Sequence, residues 1–213
     1  ENAASFEHKN LAFHAWITPW NTEQLTENSP IYSSLSAFWL TVEAGGASFK
    51  EKGGWKIWDD FLAKNKRDGQ KTFLTVSGNP DDILLVLSDP GLQDQHLQKL
   101  LEIVQQHSFS GVDINYEGLG RENRTNFSYF IAKLTEKFHA QGKLVAVTVE
   151  SRIANQVPMD WKVIGQLADE VRLMIYDYHA SQTQQPGPIA PLGWVKEVIE
   201  YADRLIETEK LVI

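Results

Sequence analysis

The residues best placed to do chemistry lie in one stretch, Phe109-Ser110-Gly111-Val112-Asp113-Ile114-Asn115-Tyr116-Glu117-Gly118. Read as a strand, it puts Asp113, Asn115 and Glu117 on one face and Val112, Ile114 and Tyr116 on the other, because extended side chains alternate. Three polar groups in succession on a buried face cost roughly several kcal/mol unless they bond one another or a ligand. A carboxyl at the end of such a strand suits general acid–base work. Burial and a nearby negative charge such as Asp113 would raise the proton affinity of Glu117 toward working pH. Glu43 and Glu150 also fall at strand ends and are rival acids, with a salt bridge to Arg152 or another support role favoured over catalysis for Glu150. The six histidines show no H-x-x-x-H or H-E-x-x-H spacing and Cys is absent, so neither a metal site nor a thiol nucleophile is expected.

The elements that must position these groups are legible as alternating signals. Strands are expected at 11–17, 35–42, 72–77, 109–115, 144–149, 171–176 and 211–213, recurring at the spacing of repeated βα units. Between them, Leu97, Leu100, Leu101 and Val104, and then Phe127, Phe130, Ile131 and Leu134, keep the i, i+3, i+4, i+7 helical period. Gly69 and Gly142 stand where helices give way to the next strand. Six such units plus the start of a seventh strand predict a TIM-type (β/α)8 barrel, an α/β fold, incomplete at its C-terminus. In a barrel, Glu117 then sits at the C-terminal mouth, where barrel enzymes keep their active sites. A doubly wound sheet is the rival, but its Gly-rich phosphate loop is missing after the first strand, which runs into Trp16-Ile17-Thr18-Pro19-Trp20-Asn21.

The 213 residues, 42% hydrophobic and 23% charged, predict a single domain over 1–213, with no linker or low-complexity tract. Twenty basic against 28 acidic residues give a formal charge of −8, which argues against nucleic acid and anionic membrane as partners. No apolar run reaches the roughly 18 residues of a membrane span. A first residue other than Met and the apolar end Leu211-Val212-Ile213 read as a piece of a longer chain.

The 109–118 stretch resembles the fourth-strand signature D-x-x-D-x-D-x-E of glycoside hydrolase family 18, the chitinase-like enzymes, with Ser110, Asp113, Asn115 and Glu117 on its four positions. Met174-Ile175-Tyr176-Asp177 resembles the family's sixth-strand M-x-Y-D. The run Pro186-Gly187-Pro188-Ile189-Ala190-Pro191-Leu192-Gly193-Trp194-Val195 is similar to the branch associated with spore germination and cell-wall hydrolysis. Ser77-Gly78 and Ala37-Phe38 are weaker echoes. The resemblance implies a secreted or envelope glycosidase that cuts β-1,4 bonds next to N-acetylglucosamine, in chitin oligomers or peptidoglycan, with retention and with no cofactor or metal. It makes Glu117 the general acid and base, while the substrate's own 2-acetamido oxygen attacks C1. Asn115 and Tyr176 would set the acetamido group, Asp113 would tune the pair, and Asp177, Met174 and Ser77 would line the subsite. Trp16, Trp20 and Trp39 are candidates to stack on sugar faces, with core packing as the alternative, whereas Trp55, Trp58, Trp161 and Trp194 read as packing residues.

Two positions depart from the family pattern. Asn115 stands where the family has Asp; it can accept the acetamido N–H but brings no charge. Ser110 replaces the first Asp, a supporting position. The family's eighth-strand tryptophan would lie beyond the end of this chain. These departures keep a second reading open, a catalytically weak or inactive carbohydrate-binding relative. A third, an ordinary two-carboxylate glycosidase, needs a nucleophilic carboxylate about 5–5.5 Å from Glu117.

Overall fold

The fold was taken from a computed structural model, which describes residues 12–25, 32–151, 158–180 and 186–213. Its strands are β1 (His14–Ile17), β2 (Ser34–Glu43), β3 (Ser48–Glu51), β4 (Lys71–Gly78), β5 (Gly111–Ile114), β6 (Leu144–Glu150), β7 (Glu170–Met174) and β8 (Leu211–Val212). Its helices are α1 (Thr22–Leu25), α2 (Trp55–Asn65), α3 (Pro80–Ser88), α4 (Pro90–Gln106), α5 (Arg124–His139), α6 (Trp161–Leu167) and α7 (Leu192–Asp203). Leu11, the first residue of the first expected strand, lies outside the described residues.

The sheet runs β1-β2-β4-β5-β6-β7-β8, all parallel neighbours in chain order, so it is an α/β barrel of the TIM type built as far as its seventh parallel strand. A doubly wound sheet would reverse its strand order at a switch point, and none occurs here. Local chemistry sets the helix starts. Asn79, Asp89 and Asp160 cap α3, α4 and α6 by accepting backbone N–H bonds, and Pro80 and Pro90 follow the first two caps. Gly111 opens β5 because a Cβ there would lie 2.2 Å from the Leu144 carbonyl oxygen of β6.

The apolar faces of the strands meet the helices outside the barrel. Val112, Ile114 and Tyr116 join Leu74, Val76, Val145, Val147, Phe127, Phe130 and Leu134 in one continuous buried cluster. The opposite faces line the barrel interior, where Ser36, Thr75, Asp113, Thr148 and Arg172 are buried around Phe73.

One strand departs from the sequence expectation. After β2 the chain turns through Ala44–Gly46, three residues with positive φ, and returns as β3 antiparallel to β2. Gly45-Gly46 was the signal for that turn. Gly46 has no alternative there: φ is +88°, and a Cβ would meet the Val86 side chain at 2.1 Å. The hairpin lies on the edge of β2 that β1 occupies lower down, which brings Gly53 against Pro19 in the loop after β1.

Candidate active site

Asp113 is fully buried in the barrel, and both carboxylate oxygens are used. Thr148 donates to Oδ1 at 2.8 Å. Oδ2 accepts from Thr75 Oγ1 at 2.8 Å and from the Trp16 indole N–H at 3.0 Å, and pairs with Arg172 at 2.9 Å. Arg172 is also fully buried; it donates to Ser36 and Glu170 and lies over the rings of Phe73 and Trp16. The sequence reading gave Asp113 the task of pressing a negative charge on Glu117. The structure corrects this: a cation compensates that charge inside the barrel, and its donors knit β1, β4, β5, β6 and β7 together. Nor does the network pass through Ser110, whose hydroxyl accepts the Thr72 N–H and ties β5 to β4 lower down.

Asn115 and Glu117 continue the same face upward. Asn115 is buried and hydrogen-bonded to the Glu117 carboxyl, and its own carbonyl oxygen Oδ1 is buried without a protein partner. Glu117 reaches the surface at the mouth, as the alternation predicted. Its carboxyl holds its proton above the ordinary Glu range. Partial burial is the main cause and the Glu150 charge the next; Asp177 adds to them, while the Asn115 bond and Lys52 oppose them. Glu150, at the end of β6, is therefore a neighbour that raises the acid's proton affinity, and its expected partner Arg152 lies outside the described residues. Glu43, the other rival, pairs with Lys50 on the hairpin at 3.5 Å.

Between Asn115 and Glu117, Tyr116 points the other way into the core. Its hydroxyl is 2.6 Å from His96 Nε2, and His96 Nδ1 is 3.1 Å from the Gly46 carbonyl. A carbonyl only accepts, so Nδ1 carries the hydrogen and Tyr116 donates to Nε2. Burial lowers the His96 pKa to about 4, which keeps the ring neutral. The strand carrying Glu117 is thereby fastened to α4 and to the β2–β3 turn.

Tyr176 and Asp177 follow β7 at the mouth. Tyr176 is about half exposed, at 51%, and its hydroxyl pKa is raised by burial of the rest and by the charges of Glu117 and Asp177. Asp177 has φ +65°, a left-handed conformation that costs a non-glycine residue on the order of 1 kcal/mol and turns the chain at the site. Met174 is partly buried at the end of β7, where its carbonyl accepts from Ser151. Beyond it, Tyr178 packs on Trp194 with ring centroids 5.2 Å apart.

Of the tryptophans expected to stack on sugars, Trp16 is partly exposed above Asp113 and Arg172, and Trp20 is exposed in the loop after β1. Trp39 is corrected: it is fully buried, its indole N–H bonds the Gly54 carbonyl, and its ring packs on Trp58. Alternation from the inward Ser34 and Ser36 already put it on the helix side with Leu35 and Ala37. Ser77 donates to the Leu40 carbonyl at 3.4 Å and accepts from the Lys52 ammonium at 3.0 Å, so its hydroxyl is an anchor for Lys52. Lys52, which the sequence reading missed, follows β3 and lies 3.5 Å from the centre of the Phe38 ring. Burial lowers its pKa, and the Glu117 charge opposes that shift. Among the described residues no set of three His, Cys, Asp or Glu gathers to hold a metal, and no helix is long and apolar enough to cross a membrane.

The sequence matches the family description Glycosyl hydrolases family 18 over residues 20–213. It is similar to the glycosylase YvbX of Bacillus subtilis, 25% identical over 207 residues that make up 88% of this chain and 60% of that protein. It is also similar to the cortical fragment-lytic enzyme of Bacillus anthracis, 25% identical over 134 residues, 61% of this chain and 31% of that enzyme. This chain thus spans only part of the length of these curated relatives. The crystal structure of a chitinase from Chromobacterium violaceum superposes with a TM-score of 0.82 at 22% identity, covering 94% of this chain and 67% of that one, which shows the shared fold.

Proposed function

The chain belongs to glycosyl hydrolase family 18, and from that premise we propose that it forms a catalytic barrel domain over 1–213 that cleaves β-1,4 linkages next to N-acetylglucosamine by a retaining, substrate-assisted mechanism. The observation that carries the reading is the pair at the mouth. The Glu117 carboxyl holds its proton above the ordinary range, and beside it a buried Asn115 carbonyl oxygen lacks a protein partner. Raising a carboxyl's proton affinity widens the pH range over which it can donate a proton, and a buried unpaired acceptor is satisfied when a ligand brings an N–H.

In this mechanism Glu117 protonates the glycosidic oxygen as its bond to C1 breaks, and the substrate's acetamido carbonyl oxygen forms a new bond to C1. Asn115 accepts the acetamido N–H through Oδ1, and the Tyr176 hydroxyl holds the acetamido oxygen in line. Water then attacks C1 as the bond between C1 and the acetamido oxygen breaks, gives its proton to the Glu117 carboxylate, and releases the sugar with the original anomeric configuration. Asp177 and Met174 border the acetamido group, and Trp16 offers a flat apolar face whose indole N–H is already fixed on Asp113. The substrates, chitin oligomers or peptidoglycan, put the protein outside the cell or in its envelope.

The experiment is Glu117→Gln assayed on a fluorogenic N-acetylchitooligoside. Turnover is expected to fall by a factor of at least about 10³, with oligosaccharide binding retained. Wild-type turnover in Glu117→Gln overturns the assignment. Asn115 favours one other reading, a carbohydrate-binding relative with weak or no catalysis, because a neutral amide gives less support to the positive charge that develops on the acetamido group. Sugar binding by a wild-type protein without turnover would establish that alternative.

A further inference from the structure

Glu117 acts from beyond the end of its strand. The β5 ladder stops at Ile114, and Asn115 is still held to the sheet by its N–H on the Val76 carbonyl at 2.9 Å, but Glu117 stands two residues further on. Directly after it Gly118 turns the chain with φ +72°, where a Cβ would lie 2.9 Å from the Pro80 side chain. Between the ladder and that turn the firm hold is Tyr116, whose ring leaves the chain on the side opposite to Asn115 and Glu117.

Tyr116 ends in a chain of polar atoms inside an aromatic core. Its hydroxyl donates to His96 Nε2 at 2.6 Å, and His96 Nδ1 donates to the Gly46 carbonyl at 3.1 Å. The His96 ring lies against Phe49 and Phe130 at centroid distances of 4.7 and 6.1 Å, and Phe130 stacks on the Tyr116 ring at 5.8 Å. The far end of the chain is fixed as well: Gly46 sits against Val86 of α3, and the Gly45 N–H bonds the Asp82 carboxylate of the same helix at 2.7 Å. For stability alone, phenylalanine at 116 would serve nearly as well. Desolvating a phenol and an imidazole offsets most of what their bonds return, leaving about 0.5–1.5 kcal/mol per bond. What the bonds add is direction, because a ring packed among rings can slide or tilt where a well-aligned hydrogen bond cannot. Side chains alternate, so a tilt at residue 116 swings residue 117 the other way, while the ladder keeps Asn115 in place.

We infer that Tyr116 and His96 are positioning residues for the general acid: the chain from Tyr116 through His96 to Gly46 aims the Glu117 carboxyl at the glycosidic oxygen and leaves the acetamido site at Asn115 unaffected. This inference rests on the proposed glycosidase reading and adds to it two buried residues that never meet the substrate.

Two probes separate the aim of the acid from the integrity of the barrel. Cleavage of N-acetylchitotetraose expels a sugar oxygen that must be protonated as its bond to C1 breaks. The 3,4-dinitrophenyl β-glycoside of N-acetylchitobiose expels a phenolate that needs no proton. For both, kcat/KM covers the steps through that cleavage, and Glu117→Gln is the reference, with a far larger loss expected on the tetraose than on the aryl glycoside. Tyr116→Phe keeps the ring and deletes the donor. It is expected to lower kcat/KM at least about tenfold on the tetraose and to stay within about threefold of wild type on the aryl glycoside. His96→Leu is expected to show the same pattern, and the double variant to be no worse than the weaker single, because the two residues act as one unit. Equal losses on the two probes in Tyr116→Phe, as general loosening of the barrel would give, overturn the inference, and so does no loss on either. A tetraose-selective loss in Tyr116→Phe but not in a folded His96→Leu overturns the role of His96; should His96→Leu fail to fold, Tyr116→Phe decides alone. If Glu117→Gln shows the leaving-group pattern and Tyr116→Phe does not, the glycosidase reading stands and this inference falls. Wild type that cleaves neither probe, or Glu117→Gln that loses nothing on the tetraose, removes both.

Discussion

Replacing Arg172 by Met tests whether the barrel interior is built around one compensated charge. The two partners are fully buried, their closest atoms are 2.9 Å apart, and they come from strands on opposite sides of β6. Methionine fills most of the volume over Phe73 but leaves Asp113 with three neutral donors, Thr75, Thr148 and Trp16, and no cation. Removing one partner of a buried pair costs about 3–5 kcal/mol, because the remaining charge is stranded. For a chain of this size that lowers Tm by about 6–20 °C. Urea unfolding followed by tryptophan fluorescence gives the free energy directly. The companion variant Asp113→Asn removes the stranded charge, so the double variant should be more stable than the sum of the two single losses predicts, by about 2 kcal/mol or more. A loss below about 1 kcal/mol for Arg172→Met, or additivity of the pair within about 0.5 kcal/mol, would refute the claim that Asp113 is a structural anchor compensated by Arg172.

Two further outcomes follow from the electrostatics of the mouth. Glu150→Gln removes a negative charge that raises the Glu117 pKa, so that pKa falls; the general acid works protonated, its activity is present below its pKa and lost as pH rises through it, and the alkaline limb of kcat/KM should move to lower pH. A limb that stays or moves upward contradicts the arrangement. Asn115→Asp does the opposite: it adds a negative charge and removes the bond that lowers the Glu117 pKa, so the limb should move to higher pH. The same change gives the acetamido group a charged acceptor, worth ~1–2 kcal/mol or about tenfold in kcat; a slower enzyme with an unmoved profile would count against Asn115 as an acetamido ligand.

Much of the fold is a matter of short-range pattern. Alternation along 112–117 fixed which side chains face the helices and which face the barrel, and it would have placed Trp39 correctly had it been counted from Ser34 and Ser36. The parallel order followed from the βα rhythm, and Gly45-Gly46 marked the turn before β3. These signals are local because side-chain direction in a strand and backbone freedom at glycine depend only on adjacent residues.

What tertiary structure decided is who neutralises whom. That Asp113 belongs to Arg172, 59 positions along the chain, and to Trp16, 97 positions back, depends on strand register and on closure of the sheet toward β1. That Glu117 is raised by Glu150 and opposed by Lys52 depends on where two neighbouring strands and a hairpin end. Coulomb interactions and hydrogen bonds act through space over a few ångströms, so residue type and spacing nominate the charged groups, and only the folded barrel pairs them.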